Sequence, residues 1–248
     1  MSLLALRDLT VTRGGCPVVD RVSFAVQPSE IVGLIGPNGA GKTTLMRAAL
    51  GLLPATGASD IASHSPRERA RRAAWMPQSR EIAWPVTVET LVTLGRIPHL
   101  PASPQDRAAV EEALVRLDLL PFRDRIATAL SGGEQARVLL ARVLAQGTPL
   151  ILADEPIAGL DPAHQIATME VFRDLAAEGR AVLVSLHDLG LAARHCTRLL
   201  LMHQGRLAAD GPPAEVLTEA NLRAIFGVRA RLIDTPDGPV FQLLERVA

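Results

Sequence analysis

The sequence predicts an α/β fold with a mostly parallel sheet, flanking helices, a β-rich N-terminal portion and an inserted helical segment. Apolar runs at 149–153 and 180–186 predict strands, and a predicted helix joins them. The order strand, helix, strand is typical of a parallel sheet. Between about Trp84 and Gly147 the pattern is helical with little strand signal, which indicates an insertion.

The first third of the chain predicts strands and then a helix. Residues 3–35 predict short strands, because VSFAV at 22–26 alternates weakly and 30–35 is a short apolar run. A glycine-rich turn follows, and a helix is expected from about Lys42 to near Gly51.

Residues 54–63 are small and predict a loop. Ser65 then provides a cap, Pro66 fits the first helical position and Glu68 completes a capping box, so a short helix is expected over 67–74.

Within the insertion, Ser103 and Pro104 predict the start of one helix, and a second is expected over 133–145. Beyond it, Asp161 is expected to cap a helix that Gly179 ends. The tail predicts a strand at LLLM, a turn at 205–206 and short helices over 214–226.

Composition excludes several classes of protein. The 248 residues carry 26 basic and 26 acidic side chains, so the chain as a whole has no attraction for nucleic acid or anionic lipid. The longest stretch without a charged residue, 48–59, is too short to span a membrane. Asp8 interrupts any signal-peptide pattern. Cys16 and Cys196 are too far apart for a metal or redox motif, which favours reduced thiols in the cytosol.

A phosphate-binding loop is predicted between the strand at 30–35 and the helix that follows it. The residues that fit GxxxxGK[ST] are Gly36, Pro37, Asn38, Gly39, Ala40, Gly41, Lys42 and Thr43, followed by Thr44. The glycines let backbone N–H groups turn inward around a polyphosphate, and the helix N-terminus adds partial positive charge. Lys42 is expected to bridge the β and γ phosphates, and the Thr43 hydroxyl to hold Mg²⁺.

Lys42 is the only lysine in the chain, and the other 25 basic residues are arginines. An ammonium fits a phosphate cradle in which a planar guanidinium would collide with the backbone. The composition therefore singles out this position.

A second helix start carries Ser131, Gly132, Gly133 and Glu134. Two interpretations stay open from these residues. Ser131 with Glu134 is a capping box, and a serine hydroxyl beside bare glycine N–H groups is also a second anion site.

Acidic residues follow one buried strand, and a histidine follows the next. Asp154 and Glu155 end the run that begins at 149, where parallel sheets place ligand chemistry. Asp154 is expected to reach Mg²⁺ through water, and Glu155 to polarise a water near the γ-phosphate. His187 occupies the equivalent edge position one strand later, and Gln78 follows a turn at 76–77.

These residues resemble the nucleotide-binding subunit of an ABC transporter. The matching elements are a Walker A loop at 36–44, a Q-loop at Gln78, an LSGGE signature at 130–134, a Walker B strand at 150–155, a D-loop at 158–161 and an H-loop at His187. The resemblance implies one domain over 1–248. Within it, a P-loop NTPase core with an antiparallel β portion covers 1–83 and 148–248, and a helical subdomain covers 84–147.

The resemblance also implies an ATPase that uses ATP and Mg²⁺. Glu155, His187 and Gln78 are then catalytic, and Thr43, Gln78 and Asp154 hold the metal. It implies a head-to-tail homodimer, in which the signature residues of one copy cover ATP on the Walker A loop of the other, and Asp161 lies in the D-loop. The expected partners are two transmembrane permease subunits and an extracytoplasmic substrate-binding protein, with no nucleic acid. The expected location is the cytoplasmic face of the inner membrane.

The segment RERARRAAWMPQ with WPVTVETLVTLGRIPHL is similar to ATPases of importers for iron-siderophore, haem and cobalamin. Zinc and manganese importers are similar over the same segment and are the first alternative. A non-transport ABC protein and a catalytically inactive regulatory module are the others; the single cassette and the complete set of Lys42, Asp154, Glu155 and His187 favour the transport ATPase. Trp84, Pro85 and Val86 are expected either to contact the permease or to join the core.

Three positions depart from the family pattern. Arg13 stands where an aromatic residue usually stacks on adenine, and its guanidinium plane can stack in the same way. Ser29 replaces a common glycine, and Ala136 replaces a common polar residue.

Overall fold

The computed structural model describes residues 2–79, 81–99 and 103–247. The strands are β1 (Leu4–Arg13), β2 (Cys16–Val26), β3 (Ile31–Ile35), β4 (Thr56–Ser59), β5 (Ala73–Met76), β6 (Leu150–Asp154), β7 (Ala181–Ser185), β8 (Arg198–His203), β9 (Arg206–Gly211), β10 (Val228–Ile233) and β11 (Val240–Arg246). The α-helices are α1 (Lys42–Ala49), α2 (Pro66–Arg72), α3 (Val88–Thr93), α4 (Pro104–Arg116), α5 (Gly132–Ala145), α6 (Pro162–Ala177), α7 (Leu189–His195), α8 (Pro213–Val216) and α9 (Glu219–Asn221). Short 3-10 helices cover Leu94–His99, Leu120–Phe122 and Ala127–Ala129, and a π-helix covers Leu222–Phe226.

The central sheet has the strand order β5-β6-β7-β3-β8-β9 and is parallel except for β9. Its middle strands β3, β6 and β7 are buried along their whole length, which explains their continuous apolar runs. The predicted mostly parallel sheet is confirmed.

Side chains alternate between the two faces of this sheet. Leu34 and Leu152 pack on the face that also holds Leu45 of α1. Ile151 and Val184 pack on the opposite face with Phe172 of α6 and the apolar side of α5. The sheet is thus covered on both sides, and the C-terminal ends of its strands form one edge.

The N-terminal sheet is antiparallel, with the order β2-β1-β4. Strands β1 and β2 are longer than the short strands predicted. Irregularities in their pairing shift the register, so the alternation of apolar residues is interrupted in the sequence. Strand β4 lies inside the stretch predicted as a loop, and that prediction is wrong. It is short, contains Gly57 and owes its conformation to pairing with β1.

The short helix predicted over 67–74 ends earlier, at Arg72. Ala73 and Ala74 belong to β5, where pairing with β6 and complete burial of Ala74 override the helical preference of alanine. The capping box at Ser65 is present as predicted.

The helices α3, α4 and α5 pack together around Leu114 and Leu140. Arg96 holds the 3-10 segment between α3 and α4 against these helices. Its Nε donates to Asp106 Oδ1 at 2.7 Å, and its Nη1 donates to the carbonyl of Ala145 at 2.7 Å. Gln146 then connects the end of α5 to the sheet, because its side-chain amide donates to the carbonyls of Ala70 and Ala73.

Trp84 is 74% exposed, so the core alternative for this side chain is wrong, whereas Val86 is half-buried against the core. The tail contains β9 and the hairpin β10–β11, which the sequence did not predict. Among the described helices, none combines the length and the apolar character needed to cross a bilayer.

Candidate active site

Three neighbouring parallel strands carry one cluster at their C-terminal ends. Gln78 follows β5, Glu155 follows β6 and His187 follows β7. The Gln78 amide donates from Nε2 to Glu155 Oε2 at 2.8 Å, and His187 Nε2 lies 2.5 Å from Glu155 Oε1. The structure therefore brings the three predicted catalytic side chains together, with the Glu155 carboxylate in the middle.

The glycine loop connects β3 to α1, and its geometry depends on its glycines. A Cβ on Gly36 would lie 2.2 Å from the carbonyl oxygen of Met202, and one on Gly41 would lie 2.6 Å from that of Val18. Both glycines also have positive φ, at 146° and 99°. Gly39 has a φ of 79°, and a Cβ there would meet nothing within 4 Å, so this part of the loop faces open space.

A cavity of about 290 Å³ lies above the loop. Its lining includes Arg13, Val18, Glu155 and loop residues from Asn38 to Thr44. Arg13 thus stands at the edge of the predicted phosphate site, where the family's aromatic residue is expected.

Lys42 is 7% exposed and turns back over its own loop. Its Nζ donates to the carbonyl oxygens of Gly36 at 2.7 Å and Pro37 at 3.1 Å. Burial lowers the pKa of Lys42, and the nearby charges of Glu155 and Asp154 oppose that shift. A polyanion beside this ammonium would favour its charged form.

Asp154 is 1% exposed, and its two carboxylate oxygens have different surroundings. Oδ1 accepts a hydrogen bond from Ser185 Oγ at 2.6 Å. Oδ2 is buried and has no hydrogen-bond partner among the described residues. A buried carboxylate oxygen without a partner is costly alone and suits a hydrated cation, so this donor set fits the implied Mg²⁺.

Glu155 has a left-handed backbone with a φ of 49°, which is unusual for a residue other than glycine. Its N–H donates to Ser185 Oγ at 2.8 Å. Ser185 was not predicted as a site residue. The signal for it was a single polar residue in the apolar run VLVSL, but its partners lie on the neighbouring strand.

The signature segment is more exposed to solvent than the phosphate loop. Ser131 and Glu134 form a complete capping box, in which the Ser131 hydroxyl lies 2.7 Å from Glu134 Oε2. These hydrogen bonds hold the pKa of Glu134 below its usual value. A Cβ on Gly132 would meet nothing within 4 Å, whereas one on Gly133 would touch the His164 ring at 3.6 Å.

Asp161 caps α6 as predicted, accepting from the backbone N–H of His164 at 3.0 Å. Its Oδ2 also lies 2.7 Å from His164 Nδ1. The backbone hydrogen bond is the main reason that the pKa of Asp161 is lowered. His164 therefore lies between Asp161 of the D-loop and Gly133 at the start of the signature helix.

Cys16 is exposed and Cys196 is buried, and both are free thiols. Burial raises the pKa of Cys196 to about 12, so this thiol is protonated at neutral pH.

A glycine loop between a buried strand and a helix, with acidic residues at the C-terminal end of another strand of the same sheet, defines a P-loop nucleoside triphosphatase. Comparison with known proteins narrows the class. The sequence profile of the ABC transporter family matches residues 19–158. The chain belongs to the ABC transporter family, among its ATP-hydrolysing subunits.

Relatives with curated functions match most of the chain. A hemin import ATP-binding protein HmuV of Rhodococcus jostii is 45% identical over 236 residues, which cover 92% of this chain and 81% of the relative. A HmuV protein of Nocardia farcinica is 43% identical, covering 94% and 85%. A cobalamin import ATP-binding protein BtuD of Halobacterium salinarum is 42% identical, covering 94% of this chain and 61% of the relative.

Solved structures share the fold. A metal-chelate type ABC transporter in an inward-facing conformation is similar with a TM-score of 0.85 and 24% identity, over 98% of this chain and 97% of that one. The ATP-binding subunit of another ABC transporter gives a TM-score of 0.77 with 28% identity, covering 92% and 95%. The predicted ABC ATPase fold is confirmed.

Proposed function

We propose that this subunit hydrolyses Mg-ATP to power the import of a tetrapyrrole or related metal chelate, with haem as the first candidate. ATP hydrolysis is inferred from the position of Glu155. This residue borders the phosphate-loop cavity, and its carboxylate is held by Gln78 and His187. The cargo is inferred from the names of the relatives, which import hemin or cobalamin.

In the proposed reaction, Lys42 leaves the carbonyls of its own loop and binds the β and γ phosphates. Backbone N–H groups from 36–44 surround the phosphates, Arg13 contacts the adenine, and Thr44 follows Thr43 at the start of α1. Thr43, Asp154 and Gln78 are the residues that would hold Mg²⁺, which neutralises phosphate charge when bound.

Glu155 then orients and polarises the attacking water. His187 and Gln78 fix its carboxylate by binding one oxygen each. Because both contacts come from neighbouring strand ends, a small rearrangement of the Gln78 segment changes the direction of the carboxylate.

The signature segment acts on ATP bound to a second copy. Its support is its position: Ser131 and Gly132 are exposed, and neither lines the described cavity at the phosphate loop. We propose a head-to-tail homodimer with two composite sites, each closed by Ser131, Gly132, Gly133 and Glu134 of the partner copy, with Asp161 nearby. One subdomain, 84–147, would then carry the signature and the permease contact.

The dimer is proposed to sit peripherally on the cytoplasmic face of the inner membrane, bound to two permease subunits and served by an extracytoplasmic substrate-binding protein. Trp84 is the proposed contact with the permease, because its large aromatic side chain is 74% exposed and aromatic residues are enriched at protein interfaces.

The test is ATP hydrolysis by the complex of this subunit with its permease in lipid vesicles. Haem-loaded binding protein is expected to stimulate the rate, and zinc-loaded and empty binding proteins serve as comparisons. Glu155→Gln is expected to lower hydrolysis by about 10² to 10⁴-fold while ATP still binds. Stimulation by zinc instead of haem would overturn the cargo. An unchanged rate in the Glu155→Gln protein would overturn the role of that residue.

A further inference from the structure

We propose that Ser185 is a positioning residue that sets the geometry of both Asp154 and Glu155. This proposal rests on the ATPase site proposed above. Ser185 is fully buried at the end of β7, directly across from Asp154 in the register of β6 and β7.

Ser185 is surrounded along β7 by apolar residues, so packing alone does not explain a polar side chain at this position. The four residues before it in β7 are all apolar and fully buried, and Leu186 after it is also buried. A hydroxyl in such a place is unfavourable unless it is hydrogen-bonded. An alanine would suit the packing, so the hydroxyl is explained by what it binds.

Both of its hydrogen bonds go to the acidic pair. The hydroxyl donates its single proton to Asp154 Oδ1 at 2.6 Å and accepts from the Glu155 N–H at 2.8 Å. One side chain on a neighbouring strand therefore holds the carboxylate of one acid and the backbone of the next.

The first hydrogen bond decides which oxygen of Asp154 can meet a cation. With Oδ1 occupied by Ser185, only Oδ2 is free of a hydrogen-bond partner in the described part of the chain. The bond also prevents rotation of the carboxylate, so Oδ2 keeps a fixed direction. Contacts of this kind, made to a metal-binding side chain by a residue behind it, orient the ligand and raise affinity for the metal.

The second hydrogen bond anchors the sharp change of direction at Glu155. Glu155 leaves the strand in the left-handed conformation. For a residue other than glycine this conformation costs free energy, so it persists only where surrounding contacts hold it. With its N–H fixed to Ser185, the Glu155 side chain is directed to Gln78 and His187.

The test compares Ser185→Ala with Ser59→Ala in the full-length protein. Ser59 is a matched control, because it is also buried, donates to the Ala49 carbonyl at 2.6 Å and accepts from the Ala62 N–H at 3.2 Å, in the antiparallel sheet. Mn²⁺ replaces Mg²⁺ as the probe, and free Mn²⁺ is measured by electron paramagnetic resonance in the presence of saturating ADP.

We expect Ser185→Ala to raise the Mn²⁺ dissociation constant about tenfold or more and to lower kcat at saturating metal about tenfold. Ser59→Ala should lower the melting temperature without either effect. Ser185→Cys, a similar shape with a weaker donor, should fall between native protein and Ser185→Ala. A graded series of this kind is not expected from a purely structural serine.

If the Ser185→Ala protein binds Mn²⁺ with native affinity, Ser185 does not position Asp154. If its kcat is native, Ser185 does not position Glu155. Failure of the proposed ATPase site is a separate result, read from Lys42→Ala. If that variant binds Mn²⁺ and ADP as the native protein does, the nucleotide site itself has been misplaced.

Discussion

The glycine-containing starts of α1 and α5 differ in how complete each is as a binding site. At the phosphate loop, Lys42 is buried, backbone carbonyls leave no room for a Cβ at two of the glycines, and a cavity is already present. At the signature segment, Ser131 and Gly132 are exposed, and the Ser131 hydroxyl is bound to its own Glu134. The first is shaped to bind a ligand alone, whereas in the proposed dimer the second is a surface that becomes part of a site only when a second copy is present.

The largest effect is expected from removing the buried ammonium of the phosphate loop. Lys42→Ala should weaken ATP binding by the single subunit about 10- to 100-fold, because a hydrogen bond to a charged phosphate contributes about 1.5–3 kcal/mol. Hydrolysis should fall about 100- to 1000-fold. Fluorescent nucleotide titration and phosphate release measure the two quantities.

Arg47→Ala, an exposed position on the same helix, is the control and should change neither quantity. Lys42→Arg should be as inactive as Lys42→Ala, since a guanidinium does not fit the loop. Native nucleotide affinity in Lys42→Ala would contradict the assignment of this loop.

The next effect separates the two helix starts. Ser131→Ala should leave ATP binding by a single subunit unchanged but lower hydrolysis by the assembled complex about tenfold or more. It should also remove a helix cap, at a cost of about 1 kcal/mol in the free energy of unfolding. Nucleotide titration, steady-state hydrolysis and denaturant unfolding give the three values.

Ser65→Ala offers a matched comparison, because Ser65 and Glu68 form the same capping box at the start of α2. This variant should lose similar stability and keep its hydrolysis rate. If both variants lose activity alike, the signature serine is only a cap, and the contrast between the two regions disappears.

A smaller effect concerns the reactivity of the single lysine. Burial lowers the pKa of Lys42, so more of its amine is neutral at pH 8–9 than for a lysine with the ordinary value near 10.5. An amine-directed ATP analogue should label Lys42 in that range, and excess Mg-ATP should protect it. Peptide mass spectrometry, with the N-terminal amine as internal reference, detects the site. Labelling that Mg-ATP leaves unchanged would place the lysine outside the nucleotide site.

The smallest effect is expected at the edge of the cavity. Arg13→Ala should weaken ATP binding about two- to fivefold, because stacking of an exposed guanidinium contributes about 0.5–1 kcal/mol. The affinity for inorganic triphosphate, which has no base, should not change. Equal losses for both ligands would show that Arg13 acts on phosphate charge instead.

The features predicted correctly are those that depend on residues close together in the sequence. They are the glycine turn between β3 and α1, the caps at Ser65, Ser131 and Asp161, and the buried strands β3, β6 and β7. Each depends on residues within a few positions of one another. The position of His187 followed from its place after a predicted strand. That of Gln78 followed from the turn at 76–77 and the family resemblance, whereas strand β5 before it was not predicted.

The features that were missed depend on distant partners. Strands β4, β9, β10 and β11 are exposed in large part, and pairing with other strands holds them in place. Ser29, noted only as a departure from glycine, has a positive φ of 65°, which explains why glycine is favoured there. The hydrogen bonds of Ser185 cross between strands and leave no periodic trace in the sequence.

Gln146 connects the strand that leads to Gln78 with the helix that carries the signature. Its side-chain amide donates to the carbonyl of Ala70 in α2 and to that of Ala73 at the start of β5, and its own carbonyl accepts from His99 at 2.9 Å. The other end of β5 leads to Gln78, and the other end of α5 carries the signature. A displacement of α5 is therefore expected to move β5 with it, and the reverse. We expect Gln146→Ala to uncouple them: nucleotide titration should still show ATP binding, but the proposed stimulation of hydrolysis by loaded binding protein should be lost in the reconstituted complex.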